Sequence, residues 1–143
     1  MKKFSILLIS LMLVLALMSC GENGSIEDKE KDDPASNEDI AITINISYPD
    51  ESNLDDVEDA AMIVEDESSV LEALTTYADE NGIEVEMDES SENPYVTSIN
   101  GVAESDTAGW IYEVNNETVM ESADMYILEN GDVISWSFES WAQ

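Results

Sequence analysis

The sequence predicts a small α+β domain with one helix packed across several strands, and three observations carry that reading. Apolar and polar residues alternate at both ends of the region that starts at Ile40, one stretch of helical spacing lies between them, and Asn- and Gly-containing turn signals separate the segments. In the first segment Ile42, Ile44, Ile46 and Tyr48 share one face, while Ala41, Thr43, Asn45 and Ser47 share the other. This is the pattern of a half-buried strand. Residues 49–59 read as an acidic loop, and 61–64 as a second short strand closing a hairpin. In SSVLEALTTYADENG, Val70, Leu71, Leu74, Tyr77 and Ala78 recur at helical spacing, Ser68 or Ser69 can cap the start, and Gly82 supplies the stop. Ile83, Val85 and Met87 then alternate with Glu84, Glu86 and Asp88, and further strands are expected at Tyr95–Ile99, 109–114 and 133–139. Asn100-Gly101, Asn115-Asn116 and Asn130-Gly131-Asp132 are the turn chemistry around them. The sum is about five to six strands in a mixed or antiparallel sheet, with no internal repeat.

Charge sets the next limits. All 34 acidic residues of the 143-residue chain follow Cys20, the only bases after it are Lys29 and Lys31, and nothing from Asp32 onward is basic. A domain without cations cannot displace counterions from phosphates, which is what drives nucleic-acid binding, so nucleic acid is excluded as a partner. Self-repulsion at this charge density weakens the fold at low ionic strength, and salt screens it. The expectation is a secreted protein of a saline or alkaline habitat. Its urea-melt midpoint should rise between low and molar salt, and a flat response would refute that.

The N-terminus carries an address. Lys2 and Lys3 precede an apolar run from Phe4 to Met18, then Ser19 and the single cysteine, Cys20. This layout is that of a secretory signal, and the run is shorter than the roughly 20 apolar residues a membrane span needs. Leu17-Met18-Ser19-Cys20 resembles the bacterial lipobox, which implies lipidation of the Cys20 thiol and anchoring at the outer face of the cell membrane. The expected division is a signal peptide at 1–19, lipidated Cys20 with an acidic disordered tether at 20–39, and a folded domain at 40–143. Residues 21–39 contain no aromatic residue and one large aliphatic, Ile26, too little to offset the entropy of ordering. A flexible tether of that length reaches about 25 Å.

Few catalytic chemistries survive. Without histidine there is no Ser/His or Cys/His pair and none of the common zinc sites, and the one cysteine is assigned to the lipid. An enzyme is not expected. Asp50, Asn53, Asp55, Asp56, Glu58 and Asp59 cluster in one loop as oxygen donors, but Asp55 stands where an EF-hand requires glycine. No metal site is assigned.

SVLEAL, YVTSINGVAE, GWIYEVNNETV and SADMYILENGDVISWSF together resemble the C-terminal β-domain of the cobalamin carriers intrinsic factor and transcobalamin, and their bacterial transcobalamin-like relatives. Asn116 departs from that pattern, where the relatives have glycine. Asparagine also adopts the left-handed turn conformation. The resemblance implies a β-grasp-like fold, in which a sheet wraps one helix, and a role in holding a ligand rather than converting it. In the carriers this domain closes over one face of the corrin, and the helical domain holding the other face is not expected here. Carried over by position, the ligand-facing candidates are Trp110, Tyr95, Asn115, Thr118 and Val119. By strand parity Trp110 lies with Tyr112 and Val114, so it is either core or ligand platform. Trp136 and Phe138 alternate with Ser135 and Ser137 and read as core. Trp141 is either a loose end or a lid. Cobalamin or a related corrinoid is the implied ligand, with capture beside an importer as the implied role. The competing expectation is a surface domain that pairs with a protein or wall polymer through a sheet edge.

Overall fold

The computed structural model describes residues 38–90 and 92–141. The signal peptide, the lipidation at Cys20 and nearly all of the tether lie outside the described residues.

Among the described residues, eight strands and one α-helix follow in the order β1 (Ile40–Ser47), β2 (Val57–Val64), α1 (Val70–Asn81), β3 (Val85–Asp88), β4 (Tyr95–Ile99), β5 (Val102–Ala103), β6 (Ala108–Val114), β7 (Glu117–Thr118) and β8 (Val133–Ser140). The fold class is α+β. The main sheet runs β2-β1-β8-β6-β7, and β3-β4-β5 form a second, three-stranded sheet. Only the β1/β8 pair is parallel, so the main sheet is mixed, with its first and last long strands side by side at the centre.

Alternation along β1 survives as burial: Ile40, Ile42, Ile44 and Ile46 are buried and Ala41 and Ser47 exposed. The second strand begins earlier than its apolar pattern announces, at Val57. A register shift between Ile44 and Ile46 lets β2 continue past it, with Asp59 at φ 49°. The Asp59 N–H donates to Asn45 Oδ1 at 2.7 Å, so a side chain on β1 satisfies the irregular backbone. Acidic residues therefore extend an edge strand that their composition alone marks as loop.

The helix keeps its sequence-predicted ends. Glu72 N–H donates to Ser69 Oγ at 3.2 Å and Ser69 N–H donates to Glu72 Oε2 at 2.8 Å, a reciprocal capping box. Gly82 ends the helix at φ 69°. The Val70 and Leu71 N–H groups donate to the carbonyls of Tyr126 and Ala123, which ties the helix start to the segment between β7 and β8. Ser69→Ala should cost about 1 kcal/mol of unfolding free energy in a urea melt. A change within error would show that the 123–126 carbonyls suffice without the cap.

Val70, Leu71, Ala73 and Leu74 join the β1, β4, β6 and β8 side chains in one apolar core. The Asn115-Asn116 turn has both residues at positive φ, 55° and 63°, the left-handed conformation that asparagine adopts in tight turns. Among the described residues no helix is long and apolar enough to cross a membrane.

Candidate ligand-binding site

Trp110 comes first because its strand position sets its face. Gly109, Trp110, Tyr112 and Val114 are buried on β6 while Ile111 and Glu113 are half-buried. The Trp110 indole is 9% exposed, with its ring edge-on to Tyr48 at 5.7 Å and to Phe138 at 5.4 Å. Its Nε1–H donates to the Val102 carbonyl at 2.8 Å. Packing of this kind holds the ring in one orientation. Yet the ring is not sealed: it forms part of the wall of a concavity of about 190 Å³.

That concavity gathers chain segments that are distant in sequence. Tyr95 and Val96 come from β4, Trp110 and Tyr112 from β6, Val119 from the segment after β7, and Trp136 from β8. β6 and β8 are antiparallel with Tyr112 opposite Trp136, and their rings lie 5.3 Å apart. Tyr95 is 45% exposed at the rim. Of the five residues assigned from sequence, Tyr95, Trp110 and Val119 meet here.

Asn115 and Thr118 do not line the concavity. The Asn115 amide donates to Asp132 Oδ1 at 2.8 Å and its Oδ1 accepts from Val133 N–H at 3.0 Å, which fixes the turn against the start of β8. Thr118 Oγ1 donates to Glu113 Oε1 at 3.0 Å across the β6/β7 pair. Parity already grouped Tyr112 with Trp110; no sequence signal joins Trp136 to them, because their meeting depends on the β6/β8 register.

Trp141 is neither a loose end nor part of the concavity wall. Its Nε1–H donates to the Asp106 carbonyl at 3.2 Å, and its ring crosses Gly109 so closely that a β-carbon there would meet Cη2 at 2.6 Å. That approach requires glycine at position 109.

The electrostatics around the site are negative. Tyr112 donates its hydroxyl proton to the Glu121 carbonyl at 2.8 Å. Burial, and then the negative charge of Glu121, pushes the Tyr112 phenol up to about 12. Tyr48 and Tyr126 are raised as well, each first by burial. The unfolded chain therefore loses phenolic protons before the folded one. Stability should be level below about pH 10 and fall as pH climbs from there toward about 12. Near-ultraviolet phenolate absorbance beside a melt series would check this, and phenols that all titrate together at the ordinary value would contradict it.

Two larger hollows have different walls. One of about 320 Å³ lies between β2 and α1, lined by Ile63, Val64, Glu65, Ser68, Glu72 and Thr76. Another, of about 460 Å³, is bounded mainly by Asp50, Asp55, Asp56 and Glu58 with Tyr48 and Leu54. Size favours these, but neither offers an aromatic surface comparable to Trp110, Tyr112 and Trp136. Asp56 Oδ1 accepts the Tyr48 N–H at 2.8 Å. Among the described residues no group of three or more His, Cys, Asp or Glu is placed to hold a metal ion.

The arrangement is a mixed sheet centred on a parallel first and last strand, with one helix in its core and an aromatic concavity at one side. The described fold is similar to that of haptocorrin solved in complex with Cbi, with a TM-score of 0.64 and 19% identity over 74% of this chain. The chain spans 26% of that protein. A candidate metal binding protein from Ruminococcus gnavus ATCC 29149 matches over 71% of this chain and 97% of its own, at 20% identity and a TM-score of 0.48. No curated protein matches the sequence. Residues 67–140 match the family model described as Domain of unknown function (DUF4430), and the chain belongs to that family.

Proposed function

We propose that this protein is a ligand-binding module, tethered through lipidated Cys20 to the outer face of the cell membrane, that captures a corrinoid or another planar ligand for uptake. The reading divides the chain into a signal peptide at 1–19, a tether at 20–39 and a binding domain at 40–143. One observation carries it: Trp110, Tyr95 and Val119 converge on a concavity with Tyr112 and Trp136. Aromatic walls with few polar groups are what planar ligands bind. The haptocorrin fold match, to a protein solved with Cbi, supports a corrinoid.

At about 190 Å³ the concavity falls below the roughly 300 Å³ at which pockets begin to enclose small ligands. A corrinoid would therefore lie across it and insert only an edge or appendage. Binding is by apolar contact and backbone hydrogen bonds, because residues 32–143 contain no cation to hold an anionic group. Nothing in this reading calls for catalysis.

Equilibrium dialysis of the full-length chain against cobinamide tests the proposal, with retention in the protein chamber as the expected result. No retention at high micromolar ligand, with an intact far-ultraviolet spectrum, would remove the corrinoid. The second reading, docking of a protein surface, is favoured by Met120, Met125 and Ile127, exposed at 95%, 54% and 51% on the segment between β7 and β8. Cross-linking at Met120 to a surface protein in cells, without cobinamide retention, would select it.

A further inference from the structure

One residue of the concavity's wall carries a donor without an acceptor. Trp136 is 3% exposed, and it contributes to the wall. Its indole Nε1–H is closed off from solvent and has no hydrogen-bond partner among the described residues. Two other polar groups of the wall are engaged: the Tyr112 hydroxyl donates to the Glu121 carbonyl, and Ser122 Oγ donates to the Pro94 carbonyl at 3.4 Å. The Trp110 Nε1–H is likewise held by the Val102 carbonyl. A buried N–H left unpaired costs free energy in the unliganded protein, and a ligand that supplies the acceptor recovers it on binding.

Size and charge restrict what can supply that acceptor. An apolar cavity of about 150 Å³ accommodates benzene. A concavity of about 190 Å³ therefore admits one ring with a small substituent. Glu121 lies in the wall, Asp124 follows the lining residue Ala123, and their charges help keep the Tyr112 phenol protonated. An anionic group entering here meets repulsion with no cation to offset it.

We infer that the concavity takes a single-ring planar group that is uncharged or cationic and bears a carbonyl-type acceptor, oriented by the Trp136 Nε1–H. The inference rests on the reading of this concavity as the binding site, and it assigns Trp136 as a ligand-orienting residue. Since the N–H is closed off from solvent, the acceptor reaches it by parting the wall. The stretch of wall formed by Val119 and Glu121–Ala123 lies outside every helix and strand, so parting it breaks no sheet ladder, only the bonds that the Glu121 and Ala123 carbonyls accept from Tyr112 and Leu71. The group enters either as a free small molecule or as an appendage of a larger planar ligand.

The test uses the ¹⁵N-labelled full-length chain and two probes of equal size, nicotinamide and nicotinate, at millimolar concentration. Nicotinamide should shift the Trp136 indole cross-peak, and nicotinate should not. Trp136→Phe should weaken nicotinamide binding about three- to ten-fold, the range for one neutral hydrogen bond. If nicotinamide moves the Tyr95 and Trp110 signals but not the Trp136 N–H, or if nicotinate binds equally well, the inference fails while the site stands. If neither probe moves any signal of the concavity, the inference fails, and cobinamide dialysis decides separately whether the capture reading survives. A Trp136 shift with nicotinamide but no cobinamide retention keeps the inference and removes the corrinoid. Should Trp136→Phe not fold, the response of the wild-type indole cross-peak to the two probes decides between these outcomes.

Discussion

Trp110→Ala is expected to lower the unfolding free energy by about 3–5 kcal/mol, the range for truncating a buried aromatic side chain. The ring is 9% exposed, lies between Tyr48 and Phe138, and its Nε1–H is bonded to the Val102 carbonyl. Truncation removes the edge-on contacts and leaves that carbonyl without its donor. Against a total stability of about 5–15 kcal/mol for a domain of this kind, the loss threatens the fold itself. Loss of ligand binding in this variant is therefore not proof of contact. Trp110→Phe separates the roles, since it keeps an aromatic ring and removes one hydrogen bond, at about 1 kcal/mol. Urea melts of both variants check the expectation. A loss below about 1 kcal/mol for the alanine variant would show the ring to be a platform on the surface rather than a strut of the core.

Leu74→Ala should cost a comparable amount, about 2–5 kcal/mol, in the same melts. Leu74 is fully buried on the inward face of α1, in the same core as Ile44, Ile134 and Ile99. The capping box fixes where the helix begins, but a local cap contributes only about 1 kcal/mol. Burial of Leu74 and its neighbours is what holds the helix to the strands. A Leu74→Ala cost no larger than that of Ser69→Ala would mean the helix is loosely docked. Because the Leu71 N–H is bonded to the Ala123 carbonyl, loosening the helix would also disturb the stretch of wall beside Val119.

Much of the fold is legible from local pattern. Alternation places β1, β4, β6 and β8, helical spacing with Ser69 and Gly82 bounds α1, and the Asn-rich turns fall where the backbone needs positive φ. Residues 57–60 are hidden in an acidic stretch because the register shift near Asn45, a contact between strands, is what makes them strand. The candidate site is legible only in part. Of the residues that positional resemblance assigns, Tyr95, Trp110 and Val119 line the concavity, and the Asn115 and Thr118 side chains bond within a turn and across a strand pair. Alternation marks Trp136 as core, and it is buried; its unpaired N–H and its place in the wall have no signature in sequence.

What depends on neighbours along the chain can be read without coordinates: the helix and its ends, the strands with a clear period, the turns, and a domain with no cation to hold an anion. Whether Trp110 is a strut or a surface cannot be read that way. It depends on Tyr48, Val102 and Phe138 arriving from three other parts of the chain. The same holds for the concavity, whose walls come from β4, β6, β8 and an irregular segment. The difference is one of range. Dihedral preference and periodicity act over a few residues, whereas register, burial and the satisfaction of a buried N–H are settled by which distant segments the core brings together.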